Sequence, residues 1–327
     1  MVRNMTTSRR SRGAALAAAA ATALVLNNAP VHAQRIDVEE AERGVEYDWS
    51  SSSIGGSGSD RVVSNSITGG FDEWLSDYQY RDYYFLEIDA LQDTDIESDR
   101  FTAFGATYFT FDAHPDVQGA HAEASAASSF YLLFKVDEAG PYDLSGSLST
   151  QSNWNAHLDL KNLTTGDVLY STGSGGSFDE RFTFDTTSSY VCEISSSGSV
   201  RIDEPFASGY HFNGQSSFNV ALTPGPNLSI EGDCPGPVTF TAKGMTPGQD
   251  VAFVYAWGVG SFLIANGPCA GVELGLSRTG IQIGATVPAD WEGVAQLVHD
   301  VPPAACGRVH VQAIDMTTCT ITDVEAL

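Results

Sequence analysis

The stretch YDLSGSL, residues 142–148, decides the fold class that we predict for this chain. Its three large apolar side chains fall on one phase of a two-residue repeat, which places them on one face of an extended strand. The same alternation returns in residues 178–184 and 190–194. Turn-forming segments rich in glycine, asparagine and serine separate such runs, as at residues 162–167 and 173–176. We therefore predict an all-β fold of antiparallel strands arranged as sandwiches.

A proline-glycine-proline triplet at residues 224–226 interrupts this alternation. Proline has no amide hydrogen for a sheet, so the triplet predicts a short linker over residues 224–228. Residues 61–223 before it are predicted to form a jelly-roll-like β-sandwich. Residues 229–327 after it have the length and strand spacing of a smaller immunoglobulin-like sandwich.

The first 33 residues have the pattern of a secretory signal peptide. An arginine-containing start leads into an apolar run over residues 14–26, and the small residues around Ala33 suit cleavage after that position. The run is shorter than the roughly 20 residues that a membrane-spanning helix needs. We predict export through the Sec route, or through Tat because of Arg9-Arg10, and no transmembrane segment after cleavage.

Residues 34–60 combine several acids with a run of serine and glycine over residues 50–59. A segment of this composition has little apolar surface to bury. It is therefore predicted to be a flexible lead to the first sandwich.

Charge limits the partners that this chain can have. The full chain carries 16 basic and 41 acidic residues. The predicted leader holds four arginines and no acid, so the remainder carries 12 basic residues and a formal charge of −29. Such a surface repels nucleic acid and anionic membranes. We expect an extracellular protein or a polysaccharide as partner; the sequence leaves the oligomeric state open.

Cysteine usage also indicates an oxidising compartment. Four of the five cysteines lie in the last hundred residues: Cys234, Cys269, Cys306 and Cys319. Cys306 and Cys319 flank a strand-like segment of eight residues, which spans roughly 26 Å, whereas bridged Cα atoms lie within about 7 Å. With local bridges excluded, two pairings remain: 234–306 with 269–319, or 234–319 with 269–306. The fifth, Cys192, shares the apolar phase of a strand and is predicted to be a buried thiol.

Four acids at alternate positions form the sharpest site-like motif: Asp93, Asp95, Glu97 and Asp99. Calcium prefers several carboxylate oxygens from one loop, so this motif predicts a possible calcium site. It departs from the EF-hand pattern, because Ser98 stands where the turn glycine belongs. An ordinary solvated loop is the alternative.

Two short histidine motifs support a metal-dependent hydrolase as a weaker alternative. His114 with Asp116 and His121 with Glu123 would supply the usual zinc-ligand types, but their spacing matches no recognised metal frame. The chain also lacks a Gly-x-Ser-x-Gly nucleophile motif. We therefore predict no catalytic residues.

Aromatic residues favour sugar binding as another alternative. Trp154 lies between Asn153 and Asn155, and flat rings beside amides suit the faces and hydroxyls of sugars. A second aromatic group occupies an acidic stretch: Trp74, Tyr78, Tyr80, Tyr83 and Tyr84. Packing within the fold is the competing interpretation for these rings.

Two segments resemble known groups of exported bacterial proteins. Residues 228–327 are similar to a cysteine-containing immunoglobulin-like module that ends many uncharacterised secreted proteins of environmental bacteria. The motifs that carry this resemblance are Cys-Pro-Gly (234–236), Tyr-Ala-Trp-Gly (255–258) and Gly-Pro-Cys-Ala-Gly (267–271). Residues 125–223, with SSFYLLF at 128–134 and SFNVAL at 217–222, resemble the sandwich regions of PEP-CTERM-type proteins. The sorting tail of that group is missing.

The resemblances imply an extracellular location and a β fold without an established active site. Together with the charge and the cysteines, they lead us to predict a secreted, non-catalytic protein of the cell surface or extracellular matrix. It would act by adhesion or assembly through the surfaces of its sandwiches. A carbohydrate-binding module and a secreted hydrolase are the alternatives.

Overall fold

Antiparallel β-strands build the part of the chain that the computed structural model describes. This part comprises residues 35–81, 84–113, 120–151, 154–173, 175–204 and 210–327. It contains strands and turns and no helix. The predicted all-β class is therefore confirmed, and the predicted signal peptide lies outside the described residues.

In the described residues, twelve strands precede the proline-glycine-proline triplet, and the last of them ends at its first proline. They are β1 (Ile36–Ser51), β2 (Gly56–Ser64), β3 (Gly69–Arg81), β4 (Tyr84–Ile96), β5 (Phe101–Ala113), β6 (Ala120–Val136), β7 (Gly140–Thr150), β8 (Asn155–Asn162), β9 (Val168–Thr172), β10 (Gly176–Phe184), β11 (Tyr190–Glu204) and β12 (Tyr210–Pro224). Sheet I has the order β2-β1-β6-β11-β8-β9, and sheet II has the order β10-β7-β12-β5-β4-β3.

The inner faces of sheets I and II pack against each other and bury two hydrophobic cores. One core contains Phe130 and Phe134 from β6 together with Phe218 from β12. The other contains Phe109 from β5 and Ala124 from β6. Strands such as β4 and β8 contribute every second residue to these cores, which is the pleat that the sequence alternation predicts.

A layer of buried polar side chains separates the two cores. Its members occupy the inward positions between the apolar groups of their strands: Arg43, Gln92, Thr94, Thr107, Ser128, Ser196 and Ser216. Thr107 Oγ1 on sheet II lies 3.1 Å from Ser196 Oγ on sheet I and 2.9 Å from Ser216 Oγ. Ser196 Oγ also donates to the carbonyl oxygen of Ser216 at 2.9 Å. We call this set the polar layer.

Removing one hydroxyl from the polar layer is expected to destabilise the protein. Thr107→Val keeps the shape of the side chain but leaves buried hydroxyls with fewer partners, which costs about 1–3 kcal/mol of unfolding free energy. Thr102→Val makes the same chemical change at an exposed position of the same strand and should stay within about 0.5 kcal/mol of the native protein. Denaturant unfolding measures both. Equal stability of the two variants would contradict the assigned role of Thr107.

The segment predicted as a flexible lead is ordered, and that prediction is wrong. Residues 36–51 form β1, which lies between β2 and β6, and most of the serine-glycine run forms the turn into β2 and the start of that edge strand. Ala41, Val45 and Trp49 supply buried contacts to the cores. Trp49 Nε1 donates to Asp77 Oδ2 at 2.7 Å. Gly58 leaves room for this ring, because a Cβ atom there would lie 2.5 Å from Trp49 Nε1. Pairing on both sides of β1 outweighs its polar composition.

Arg43 is the other reason why β1 is held in place. Its side chain is fully buried, and its two terminal nitrogens donate to the carbonyl oxygens of Gly69 at 2.7 Å and Ser66 at 2.8 Å. Its Cζ lies 5.7 Å from the centre of the Phe71 ring. Burial lowers the pKa of Arg43, and the Asp95 carboxylate opposes that shift. Arg43 therefore ties β1 to the beginning of β3.

Nine strands follow the triplet. They are β13 (Asn227–Gly232), β14 (Gly236–Lys243), β15 (Asp250–Ala256), β16 (Val259–Leu263), β17 (Glu273–Leu276), β18 (Gln282–Pro288), β19 (Ala295–Val301), β20 (His310–Asp315) and β21 (Glu325–Ala326). Sheet III has the order β13-β14-β19, sheet IV has the order β18-β15-β20-β21, and β16 pairs with β17. Among the described strands, no sheet combines members from both sides of the triplet.

The central strands of sheet IV, β15 and β20, are covered on both faces. Phe240 of sheet III and Phe253 of sheet IV belong to one core, with ring centres 6.4 Å apart. Val254 on the opposite face packs in a second core with Leu274 and Leu276 of the β16–β17 hairpin. Because both faces are covered, β15 is buried at nearly every position instead of at alternate ones.

Two disulfides join distant parts of this C-terminal region. Cys234 is bonded to Cys306 with Cα atoms 5.6 Å apart, and Cys269 is bonded to Cys319 with Cα atoms 5.3 Å apart. This is the first of the two pairings that the sequence left open. Cys192 is a buried free thiol, as predicted, and its burial raises its pKa.

Direct contacts hold the predicted linker. The amide of Gly225 donates to the carbonyl oxygen of Pro141 at 2.8 Å. Lys243 Nζ, in β14, donates to the two carboxylate oxygens of Glu138 at 2.8 and 2.6 Å. Gly225 of the linker is therefore bonded to the first group of sheets, and the Lys243–Glu138 pair joins that group to β14.

Candidate functional site

Three aromatic side chains stand exposed on the outer face of sheet II. Along β3, Phe71 and Leu75 point inward and are buried. The opposite phase carries Trp74, Tyr78 and Tyr80, whose exposed fractions are 69 %, 61 % and 68 %. Because Phe71 and Leu75 occupy the buried face of β3, the three rings on its opposite face are available for contact.

Neighbours on β4 fix the orientation of two of these rings. Trp74 Nε1 donates to Asp89 Oδ1 at 3.3 Å. The Tyr78 ring meets the Phe85 ring edge to face, with centres 4.9 Å apart and an angle of 62° between planes. Ordered rings lose less conformational entropy on binding than freely rotating ones.

Carboxylates occupy the outward positions around the rings. We define the aromatic–acidic face as the outward side chains of β3 and β4 that carry rings or acids: Asp72, Trp74, Tyr78, Tyr80, Phe85, Glu87, Asp89, Asp93 and Asp95. The register places Glu87 directly opposite Tyr78 and Asp93 opposite Asp72. Partial burial and the neighbouring Asp89 carboxylate raise the pKa of Glu87.

No lysine or arginine occupies the outward positions of β3, β4 or β5 in the described residues. Next to the face, Asp112 at the end of β5 makes a hydrogen bond with His211 Nδ1 of β12. Arg100 lies in the turn after β4 and is paired there with Asp99 at 3.1 Å and Glu97 at 3.3 Å. At its described outward positions, the aromatic–acidic face therefore presents carboxylates and no cationic side chain.

Sheet I carries a groove on its own outer side. This groove of about 720 Å³ has a floor of small residues, including Ser125, Ala127 and Ser197. Its rim includes Arg61, which pairs with Glu46 at 3.3 Å. Its lining also includes Tyr47, Asp48 and Asp60, so one ring and several acids surround a floor of small side chains.

An apolar cleft of about 270 Å³ opens between sheets III and IV. Phe253 and Leu297 line its interior, and Trp257, 52 % exposed, lies among the lining residues. Most of its walls belong to the hydrophobic core already described.

Trp154 is a core residue, and its predicted role as a sugar ligand is wrong. Its exposed fraction is 2 %, and its ring lies between Gly198 of β11 and Gly214 of β12. A Cβ atom at either glycine would come within 1.9 Å of the indole. Asn155 is exposed at the rim of the sheet I groove, and Asn153 lies outside the described residues. The indole therefore fills the space between the sheets instead of meeting solvent.

The four acids predicted to bind calcium divide between a strand and a turn. Asp93 and Asp95 are exposed on β4, whereas Glu97 and Asp99 pair with Arg100 beyond its end. Within the described ranges, no three histidine, cysteine, aspartate or glutamate side chains come together as metal ligands. Calcium binding stays a prediction.

The histidine motifs proposed for metal chemistry are only partly described. His114 and Asp116 lie outside the described residues. His121 Nδ1 is 3.6 Å from Asp203, and Glu123 pairs with Arg201. In the described segments, the partners of these side chains are therefore residues of the neighbouring strand.

Comparisons with known proteins add little to this description. No protein-family model matches the chain, and no curated protein matches it. Among solved structures, the adhesin domain of Epf from Streptococcus pyogenes aligns over 72 % of this chain and 78 % of that one. The sequence identity is 8 % and the TM-score is 0.20. A similarity this low supports no inference about the function of the chain. In the part of the chain that is described, no apolar helix of membrane-spanning length occurs.

Proposed function

We propose that this chain is an exported, non-catalytic adhesion protein that contacts its partner through the aromatic–acidic face. The observation that carries the proposal is the exposure of three large rings on one strand face, two of them held by neighbouring side chains. Tryptophan and tyrosine are enriched in the contact regions that supply most binding energy between proteins.

The two disulfides support the extracellular part of this proposal, because such bonds persist in oxidising compartments. The acidic composition has the same implication, since it keeps an exported protein soluble. We favour adhesion over hydrolysis because the exposed rings are a feature of the described surface, whereas the hydrolase alternative depends on His114.

The second candidate function is carbohydrate binding, at the exposed rings of β3 and not at the buried Trp154. The exposed rings of β3, instead of Trp154, would then stack on sugar faces, and the nearby carboxylates would accept hydrogen bonds from hydroxyls.

Adhesion of coated beads tests the proposal. Beads carrying residues 34–327 with intact disulfides would be applied to an array of immobilised polysaccharides and of cationic and acidic extracellular proteins. We expect adhesion to at least one class. The Trp74→Ala/Tyr78→Ala/Tyr80→Ala variant should lower that adhesion by about tenfold or more, since ring contacts of this kind often contribute over 2 kcal/mol.

The matched control is Trp291→Ala, which removes an 82 % exposed tryptophan from the C-terminal region. It should leave adhesion unchanged. Native beads that adhere to no surface, or a triple variant that adheres as well as the native protein, would overturn the proposal.

A further inference from the structure

The rings and the carboxylates of the aromatic–acidic face are close enough to act on one ligand group. Asp89 is hydrogen-bonded to the Trp74 indole at 3.3 Å. Glu87 lies directly opposite Tyr78 in the antiparallel register, and side chains in that relation have Cβ atoms about 5 Å apart. Each of these two rings therefore has a carboxylate within reach of a group that lies over the ring.

We propose that the aromatic–acidic face binds a cationic protein segment whose arginine side chains lie over Trp74 and Tyr78. This inference rests on the proposed adhesion function and names the partner of the same surface. The guanidinium group stacks on aromatic rings and donates to carboxylates from its edge, so one side chain satisfies both features. Lysine, a compact and strongly hydrated ion, uses the ring less well.

Charge complementarity favours a cationic segment over the other partners that could bind this face. The outward positions of β3, β4 and β5 in the described residues contain acids and no lysine or arginine. A second copy of this chain is disfavoured, because its own surface is strongly acidic and like charges placed together cost binding energy. A neutral glycan would gain ring stacking but no charge attraction, and an anionic one would be repelled.

The density of carboxylates gives a further reason for a cationic partner. Glu87 and Asp89 are near enough for Asp89 to contribute to the raised pKa of Glu87. A guanidinium placed between them would relieve this repulsion and make charge-assisted hydrogen bonds, which are about twice as strong as neutral ones.

Peptide binding to the disulfide-intact chain of residues 34–327 tests the inference. The probes are fluorescent peptides of alternating serine with arginine, lysine or glutamate, and soluble oligosaccharides of cellulose and chitin. We expect the arginine peptide to bind most tightly, the lysine peptide several-fold more weakly, and the glutamate peptide not to bind. Trp74→Ala/Tyr78→Ala, which keeps every charge, should weaken arginine-peptide binding by about tenfold, as expected for the loss of two cation–π contacts.

A charge-matched pair of variants controls for general attraction to an acidic protein. Glu87→Gln/Asp89→Asn should weaken arginine-peptide binding by about tenfold, because it removes both carboxylates beside the rings. Glu231→Gln/Asp300→Asn makes the same change in charge at exposed sites of the C-terminal sheets and should alter it less than twofold. Equal weakening by the two pairs would overturn the inference.

The outcomes also separate this inference from the adhesion proposal. Oligosaccharide binding that is lost in Trp74→Ala/Tyr78→Ala, without arginine-peptide binding, would overturn the cationic partner but leave the face as the adhesion surface. Arginine-peptide binding that survives the loss of the rings would overturn this inference, whereas unchanged bead adhesion of the triple variant would overturn the adhesion proposal and this inference with it.

Discussion

Trp154→Ala is expected to lower the unfolding free energy by about 3–5 kcal/mol, the range measured when a large aromatic side chain is removed from a core. The indole fills the space between Gly198 and Gly214, whose lack of side chains prevents them from filling the cavity. Its exposed fraction of 2 % means that nearly all of the removed surface was buried. Denaturant unfolding followed by circular dichroism measures the loss.

Two further variants test the reason for this effect. Trp291→Ala removes the same side chain from an 82 % exposed position and should change stability by less than about 0.5 kcal/mol. Trp154→Phe should cost less than Trp154→Ala, because a ring is retained and Trp154 Nε1 has no hydrogen-bond partner among the described residues. A native-like stability of Trp154→Ala would show that the indole is not packed between the sheets.

Removing the Cys234–Cys306 disulfide is expected to destabilise the C-terminal sheets by roughly 4 kcal/mol, the value that chain entropy gives for a loop of this size. The two cysteines are 72 residues apart, so the bond restricts a large part of the unfolded C-terminal region. Cys234→Ala/Cys306→Ala makes the change, and unfolding monitored by tryptophan fluorescence measures it.

The second disulfide provides the comparison. Cys269→Ala/Cys319→Ala opens a separation of 50 residues, and the weak dependence on loop length predicts a loss only slightly smaller. Cys192→Ala removes a free thiol, and its stability should respond to a reducing agent in the same way as that of the native protein. If either double variant unfolds at the denaturant concentration of the native protein, the bond concerned has no stabilising role.

The fold class follows from local sequence because a strand with one buried face must alternate. Tyr142, Leu144 and Leu148 are all buried on the inner face of β7, as their spacing predicts. The cysteine pairing could be narrowed to two choices by the reach of an extended chain. The choice between them depends on how sheets III and IV pack, and that packing joins residues that are far apart in the sequence.

Long-range pairing also explains why residues 36–51 form a strand although the composition of residues 34–60 predicts a flexible lead. Composition describes what a segment can bury by itself, whereas β1 takes its partners from β6, far along the chain. Trp154 differs from its prediction for a related reason. The asparagines are its neighbours in sequence, whereas Gly198 and Gly214 are its neighbours in space.

The candidate site was partly visible in the sequence. Trp74, Tyr78 and Tyr80 share one phase of β3 and stood out as a group within an acidic stretch. Their exposure could not be read from that phase, because large apolar rings are usually placed inward. The apolar residues Phe71 and Leu75 on the opposite phase indicate that β3 buries that face, which leaves the rings on the exposed one.

The polar layer inside the larger sandwich determines the alignment of residues on its outside. A strand that slid by two positions would keep its inward and outward faces but would move its hydroxyls into hydrocarbon, at a cost of about 1–3 kcal/mol for each group left without a partner. Thr107 on β5, which is hydrogen-bonded to Ser196 on β11 and to Ser216 on β12, therefore acts as a register mark for these strands. The outward side chains of β5 and β12 inherit this alignment, so hidden hydroxyls help to place Asp112 of β5 opposite His211 of β12 on the outer surface.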